Sequence, residues 1–308
     1  MAETVRFVSA EEVRKVLTYQ HLIPVLEDTL KQYSVTKNVK IIQPCKTLIE
    51  VKENNGLCLI MPCYSAADNI IATKLVTVFP QNKDIPSHDA AIVVFSSTNG
   101  KLLSVIDGTV ITAMRTAAVT VIATKYLSVP EPKVLAIIGS GVQARSHFAA
   151  LTTSFTFSQV NVWSRNKANA RMFGDDTGAK VCGTIEEAVK DADVIVTATG
   201  SKQPLLMKDW VKAGTHINAV GAPLGECQEV DSELTRSSIV YVEDYEMAHK
   251  YSGELGASKA EVFGEIGEVI GGQKQNFRNK NTMFISLGMA IEDCVSAKLV
   301  YKNITNNL

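Results

Sequence analysis

The spacing of apolar residues changes twice along this chain. Ser9-Ala10-Glu11-Glu12 has the pattern of a capping box and predicts a short helix. Leu22, Val25, Leu26 and Leu30 then fall on one face of a longer helix over about 23–33. Beyond it apolar and polar residues alternate, which predicts strands over 56–64, 70–79, 90–96 and 102–106. Asn99-Gly100 reads as a hairpin turn between the last two. This part therefore reads as a mostly antiparallel α+β domain. Residues 107–123 form a helical pattern with no charged face, so that helix should be buried nearly all round.

From Val134 the pattern changes again. Residues 134–138 are an unbroken apolar run, as in a strand buried on both faces. Further strands are predicted over 160–163, 194–198, 217–221, 239–242 and 282–286, and helices over 142–151, 166–173 and 185–189. Alternating strands and helices imply an α/β fold, a Rossmann-type doubly wound parallel sheet with ligand at the carboxyl ends of the strands. A last amphipathic helix spans 287–301.

A chain of 308 residues fits two domains better than one. With 46% hydrophobic and 20% charged residues it has the composition of a globular protein. The net charge of -1 gives no electrostatic case for nucleic acid or an anionic membrane. No apolar stretch is expected to approach a membrane span of about 20 residues, and the first residues lack a signal-peptide core. Six scattered cysteines have no zinc-ligand spacing, so no metal is expected and a reducing, cytoplasmic setting is.

The chemistry concentrates at Gly139-Ser140-Gly141-Val142-Gln143-Ala144, a Gly-x-Gly-x-x-Ala turn between a strand and a helix. Gly139 can make the tight turn, and Gly141 lets a pyrophosphate approach the backbone. Ala144 lets the helix pack close. At the end of the next strand, NAD enzymes carry an acid for the ribose hydroxyl. This chain has Ser164-Arg165-Asn166-Lys167 instead, which favours a 2′-phosphate and hence NADP(H). Two charges also fall in apolar surroundings. Lys74 shares a strand face with Ala72 and Val76, and reads either as a site lysine or as one snorkelling from an edge strand. Arg115 is the one charge between Asp107 and Lys125. With no acidic neighbour at i±4, a bound anion is favoured over a structural salt bridge.

Together these residues resemble the ornithine cyclodeaminase/mu-crystallin family and, within it, the ketimine reductase branch. The resemblance covers the whole chain. It rests on the stretches 61–67, 73–77, 86–88, 107–118, 216–222 and 284–290, of which Asp107-Gly108-Thr109-Val110-Ile111-Thr112-Ala113-Met114-Arg115-Thr116-Ala117-Ala118 is the most specific. It implies a substrate-binding and dimerisation domain over 1–128, completed by the last helix at 287–308, and an NADP-binding domain over 129–286. It also implies a homodimer and a small imine or amino-acid substrate. Lys74 and Arg115 match family substrate and catalytic positions. The implied cofactor contacts are Ser87, His88, Arg115, Gly139, Ser140, Gly141, Val142, Gln143, Ser164, Arg165, Asn166, Asn169, Ala198, Gly200, Val220 and Ser286.

Three departures stand out. Lys46 follows Gln43-Pro44-Cys45 where the family has an arginine for the substrate carboxylate, so the charge stays but the bidentate fork is lost. Glu226 stands where members tend to carry a site aspartate, and is a candidate acid or base. Lys46 and Tyr251 also replace residues of the thyroid-hormone site of mu-crystallins, so hormone binding does not carry over. The reading is thus an NADPH-dependent reductase of cyclic ketimines. The alternatives are ornithine cyclodeaminase, an alanine-dehydrogenase-like enzyme, or a hormone-binding or crystallin-type protein without turnover.

Overall fold

Alternation in the first part becomes a sheet with one covered face. A computed structural model describes residues 5–36, 41–222 and 225–306. Strand β1 (Arg6–Val8) leads to helix α1 (Ala10–Val16), where Ser9 and Glu12 form the expected capping box. Helix α2 (Tyr19–Val35) begins a turn earlier than expected and includes Pro24. The stripe of Leu22, Leu26 and Leu30 is wholly buried, which offsets the backbone bond that proline lacks. Then come β2 (Ile41–Ile42), β3 (Thr47–Val51), β4 (Gly56–Ser65), β5 (Ile70–Val78), β6 (His88–Ser96) and β7 (Leu102–Asp107). They form a seven-stranded sheet in the order β1-β7-β6-β5-β4-β2, with β3 also on β4. All pairs are antiparallel except β1 with β7. The sequence pattern missed β1, β2 and β3. Two are too short to show a period, and β3 is exposed along nearly its whole length.

Helix α3 (Gly108–Leu127) follows directly. By length and composition it could cross a membrane, contrary to the expectation that no stretch approaches a span, but 78% of its apolar window is buried inside the fold. The two compact units part within it, after Arg115. Its later turns belong to the second unit, where Thr120 bonds His147 and Thr124 accepts from Asn218.

The second unit holds β8 (Val134–Ile138), α4 (Val142–Ser154), β9 (Gln159–Trp163), α5 (Lys167–Thr177), β10 (Lys180–Val181), α6 (Ile185–Val189) and β11 (Val194–Thr197). It continues with β12 (His216–Ala219), α7 (Ser232–Ser237), β13 (Ile239–Val242), α8 (Tyr245–Tyr251), α9 (Gly253–Ser258), β14 (Val262–Glu265), α10 (Ile266–Ile270) and β15 (Thr282–Ile285). All pairs in this sheet are parallel, in the order β10-β9-β8-β11-β12-β15-β13-β14. The order turns back between β8 and β11, the switch point at which such sheets bind ligands. Here β10 and β14 are the short edge strands that the sequence pattern did not show. The last helix, α11 (Ala290–Asn306), belongs to the first unit, where it packs on β4, β5 and α2.

Candidate active site

In the first unit the inner face of β5 carries Ile70, Ala72, Lys74 and Val76 against α11. Lys74 is 2% exposed on a strand flanked by β4 and β6, so it does not snorkel from an edge. Its Nζ lies 2.7 Å from Oδ2 of Asp293, in the first turn of α11. Oδ1 of the same carboxylate accepts from Nε of Arg115 at 3.0 Å, and Oε2 of Glu292 accepts from Nη1 of Arg115 at 2.8 Å. All four side chains are buried. Burial and the Arg115 charge push the Lys74 ammonium down to about 8, while Asp293 and Glu292 pull the other way.

This corrects the balance drawn for Arg115. The salt bridge disfavoured on the sequence is present, and its partners come from a helix 177 and 178 residues further along. A test at i±4 cannot see partners across a fold. The missed signal was Glu292-Asp293 itself, two adjacent acids with buried apolar residues on either side. The start of α11 is held by the Gln43-Pro44 segment. Gln43 Oε1 accepts from the Ile291 N–H at 3.0 Å, and its amide lies 3.2 Å from the Met289 sulfur. Lys46, three residues on, is buried in the same unit. Ser87 and His88 bond each other at 2.9 Å near the start of β6.

In the second unit the glycine-rich turn has the form a dinucleotide needs. Gly139 has φ +129, and a Cβ there would lie 2.5 Å from the Ala198 carbonyl oxygen, so no other residue fits. Gly141 caps α4, and a Cβ there would meet nothing within 4 Å. No acid occupies the first turn of α4, so its N–H groups, including those of Val142 and Gln143, are suited to a phosphate. Ser140 donates to Ser164 at 2.8 Å, tying this turn to the end of β9. Arg165 is exposed. Asn166 caps α5 through Oδ1, which accepts from Ala168 and Asn169, so its Nδ2 is the atom left to donate.

Ala198, Gly200, Val220 and Ser286 follow the carboxyl ends of β11, β12 and β15, which are neighbours in the sheet. Two buried acids hold these ends. Glu229 accepts from the Thr197 hydroxyl, from Thr199 and from the Gly221 N–H. A Cβ on Gly221 would collide with that carboxylate. Glu243 accepts from Ser286 Oγ at 2.7 Å and from the N–H groups of Leu287 and Gly288 at 2.8 Å each. Neither acid was singled out on the sequence, because an acid that serves backbone donors has no motif of its own. Glu226 is exposed and paired with Lys202 at 2.7 Å. Positions 223 and 224 of its segment lie outside the described residues. Among the described residues no cluster suited to a metal ion exists.

Known proteins share this fold. The rat (Rattus norvegicus) ketimine reductase mu-crystallin is 45% identical over 300 residues, 96% of each chain. The Thermococcus litoralis Δ1-pyrroline-2-carboxylate reductase, solved with NADH and L-proline, superposes with a TM-score of 0.92 at 32% identity and 98% coverage of both chains. An archaeal alanine dehydrogenase dimer with bound NAD gives a TM-score of 0.90 at 32% identity, covering 99% of this chain and 97% of the other. The model of the ornithine cyclodeaminase/mu-crystallin family matches residues 3–307, and the chain belongs to that family.

Proposed function

We propose that this protein is an NADPH-dependent reductase of cyclic ketimines derived from amino acids. The observation that carries this reading is Lys74, a buried ammonium paired in the first unit with the Asp293 carboxylate, which also accepts from the Arg115 guanidinium. Reduction of an imine needs one hydride and one proton, and a bound reduced nicotinamide supplies the hydride to the carbon of the C=N bond. Lys74 holds the iminium proton or delivers it to nitrogen. Arg115 and Lys46 hold the substrate carboxylate, and their charges suit an anionic group. Desolvation around these residues strengthens each of these contacts. Glu226 is the weaker acid–base candidate, since its carboxylate is exposed and already paired.

The choice of NADPH rests on Ser164, Arg165, Asn166 and Lys167, where no acid stands to repel a 2′-phosphate. The pyrophosphate would lie over Gly139, Ser140 and Gly141, with Ala198, Gly200, Val220 and Ser286 at the neighbouring strand ends. A homodimer is supported by the outer face of the antiparallel sheet. Phe7 on β1 is 68% exposed there, and Ile71 and Leu75 on β5 and Ile49 on β3 are exposed on the same face. A face this apolar needs a cover. A cytosolic setting agrees with six free cysteines.

The test is NADPH oxidation over a panel of cyclic imines, each with and without a carboxylate, with the amine product quantified. Turnover is expected, with preference for the carboxylated members. Saturable binding of NADPH with no imine reduced would replace this reading with a carrier.

A further inference from the structure

Lys74 alone does not explain why it stays charged inside the fold. Its neighbours in the sheet, Met61 on β4 and Ile92 on β6, are uncharged. From α3 it faces Arg115, a like charge, and from α11 it faces Asp293 and Glu292. Burial and Arg115 both favour losing its proton. The two acids divide the work unequally. Glu292 reaches Arg115 at 2.8 Å, and Asp293 reaches both cations, one with each oxygen. The Cys63 thiol, near Asp293, is pushed up by its hydrogen bond with Cys294 and then by burial, so it remains neutral.

We infer that Asp293 is a positioning residue for the reaction, one whose carboxylate bridges Lys74 and Arg115 and thereby keeps Lys74 an aimed, charged proton donor. The inference rests on the imine-reductase reading for its meaning, but not for its test. Asp293 need not touch substrate. Its two oxygens fix the angle between the ammonium and the guanidinium, and so the spacing between the proton donor and the carboxylate holder. A purely structural Asp293 would fasten α11 to the sheet and leave the alkaline limb of kcat/KM unconnected to the Lys74 midpoint.

The experiment titrates Lys74 by the 13Cε shift of lysine-labelled full-length protein, without substrate, the signal being assigned by its loss in Lys74→Arg. In the unmutated protein the midpoint should fall near 8. Asp293→Asn should lower it by about one pH unit or more. Glu292→Gln, which removes a charge that reaches Arg115, should lower it by less than half as much. In parallel, the alkaline limb of kcat/KM for the best imine should move with the Asp293→Asn midpoint. That movement should vanish on a Lys74→Arg background, because a guanidinium does not titrate there. An unchanged Lys74 midpoint in Asp293→Asn would overturn the inference. So would a larger shift in Glu292→Gln than in Asp293→Asn. If Asp293→Asn does not fold, the Glu292→Gln titration decides: a midpoint that stays near 8 supports the inference, and one that collapses contradicts it. A protein that reduces no imine yet shows these midpoints would refute the reductase reading and leave the charge bridge standing.

Discussion

Gly139 and Gly141 stand two positions apart and should respond to substitution in opposite ways. Gly141→Val has open space around it, so the protein should keep its melting temperature and lose NADPH binding, because the added atoms fill the phosphate position. Gly139→Ala meets a positive φ and the Ala198 carbonyl oxygen, so it should lower the melting temperature as well. Calorimetry with and without cofactor separates the two, and normal NADPH affinity in Gly141→Val would remove the turn from the site. Arg165→Ala should narrow the preference for NADPH over NADH by roughly 1.5–3 kcal/mol, the worth of a charged hydrogen bond. Fluorescence titration with both cofactors checks this, and equal affinities in the unmutated protein would contradict it. Arg115 is the residue whose substitution needs most care. Its removal leaves Glu292 and part of Asp293 buried without their cation, so Arg115→Ala should cost about 3–5 kcal/mol of stability in addition to any loss of turnover. Denaturant titration alongside kinetics separates the two effects. These roles were unequally legible. The glycines could be read from the chain because a turn between strand and helix is local. The partners of Arg115 could not, because the fold supplies them from its far end.

Among the elements, α11 shows what periodicity reveals and what it hides. Its amphipathic pattern and approximate extent could be read in the sequence. Its acids could not be assigned, because Glu292 and Asp293 sit in a stretch where every residue is buried. The strand ends of the parallel sheet pose the same problem. Glu229 gathers Thr197, Thr199 and Gly221, while its own N–H donates at 2.7 Å to Glu254, the buried acid of α9. Burial pushes Glu254 up to about 7, the nearby Glu229 charge adds to this, and the N–H groups of Glu229 and Val230 pull it down. The folded value lies above the ordinary 4.5, so the folded state keeps this proton over a range where the unfolded chain has released it. The stability this group contributes is complete below pH 4.5 and is lost as pH rises to about 7. Glu254→Gln keeps an oxygen for both N–H groups and has no charge to bury. Its stability should therefore gain on the unmutated protein between about pH 5 and about pH 8, by an amount on the order of 3 kcal/mol. Parallel pH-dependent melts would show a constant offset if Glu254 is ionised throughout.

On the scale of the whole molecule, two units with different hydrophobic periods are joined by a helix apolar enough to have passed for a membrane span. The change of period itself is visible in the sequence. The division inside α3 is not, since a helix buried nearly all round gives no sign of which unit each turn belongs to. The outer sheet face was likewise hidden, because alternation reports one covered face and is silent on the other. Placing a charge there, as in Leu75→Glu, should convert the proposed dimer into a monomer by sedimentation velocity, with the cofactor still bound by the second unit. A sedimentation coefficient unaffected by the substitution would mean that this face is not the dimer contact. The central claim is that the charge cluster around Lys74 serves hydride reduction of a carboxylated cyclic imine. The most direct measurement is the stoichiometry of NADPH consumed to cyclic amine formed, for one imine with and without its carboxylate, in the unmutated protein and in Lys74→Met. One amine per NADPH is expected, with faster turnover of the carboxylated imine and loss of at least about two orders of magnitude in kcat in Lys74→Met. Reduction that proceeds unchanged in Lys74→Met, or NADPH that binds and is never oxidised, would contradict the claim.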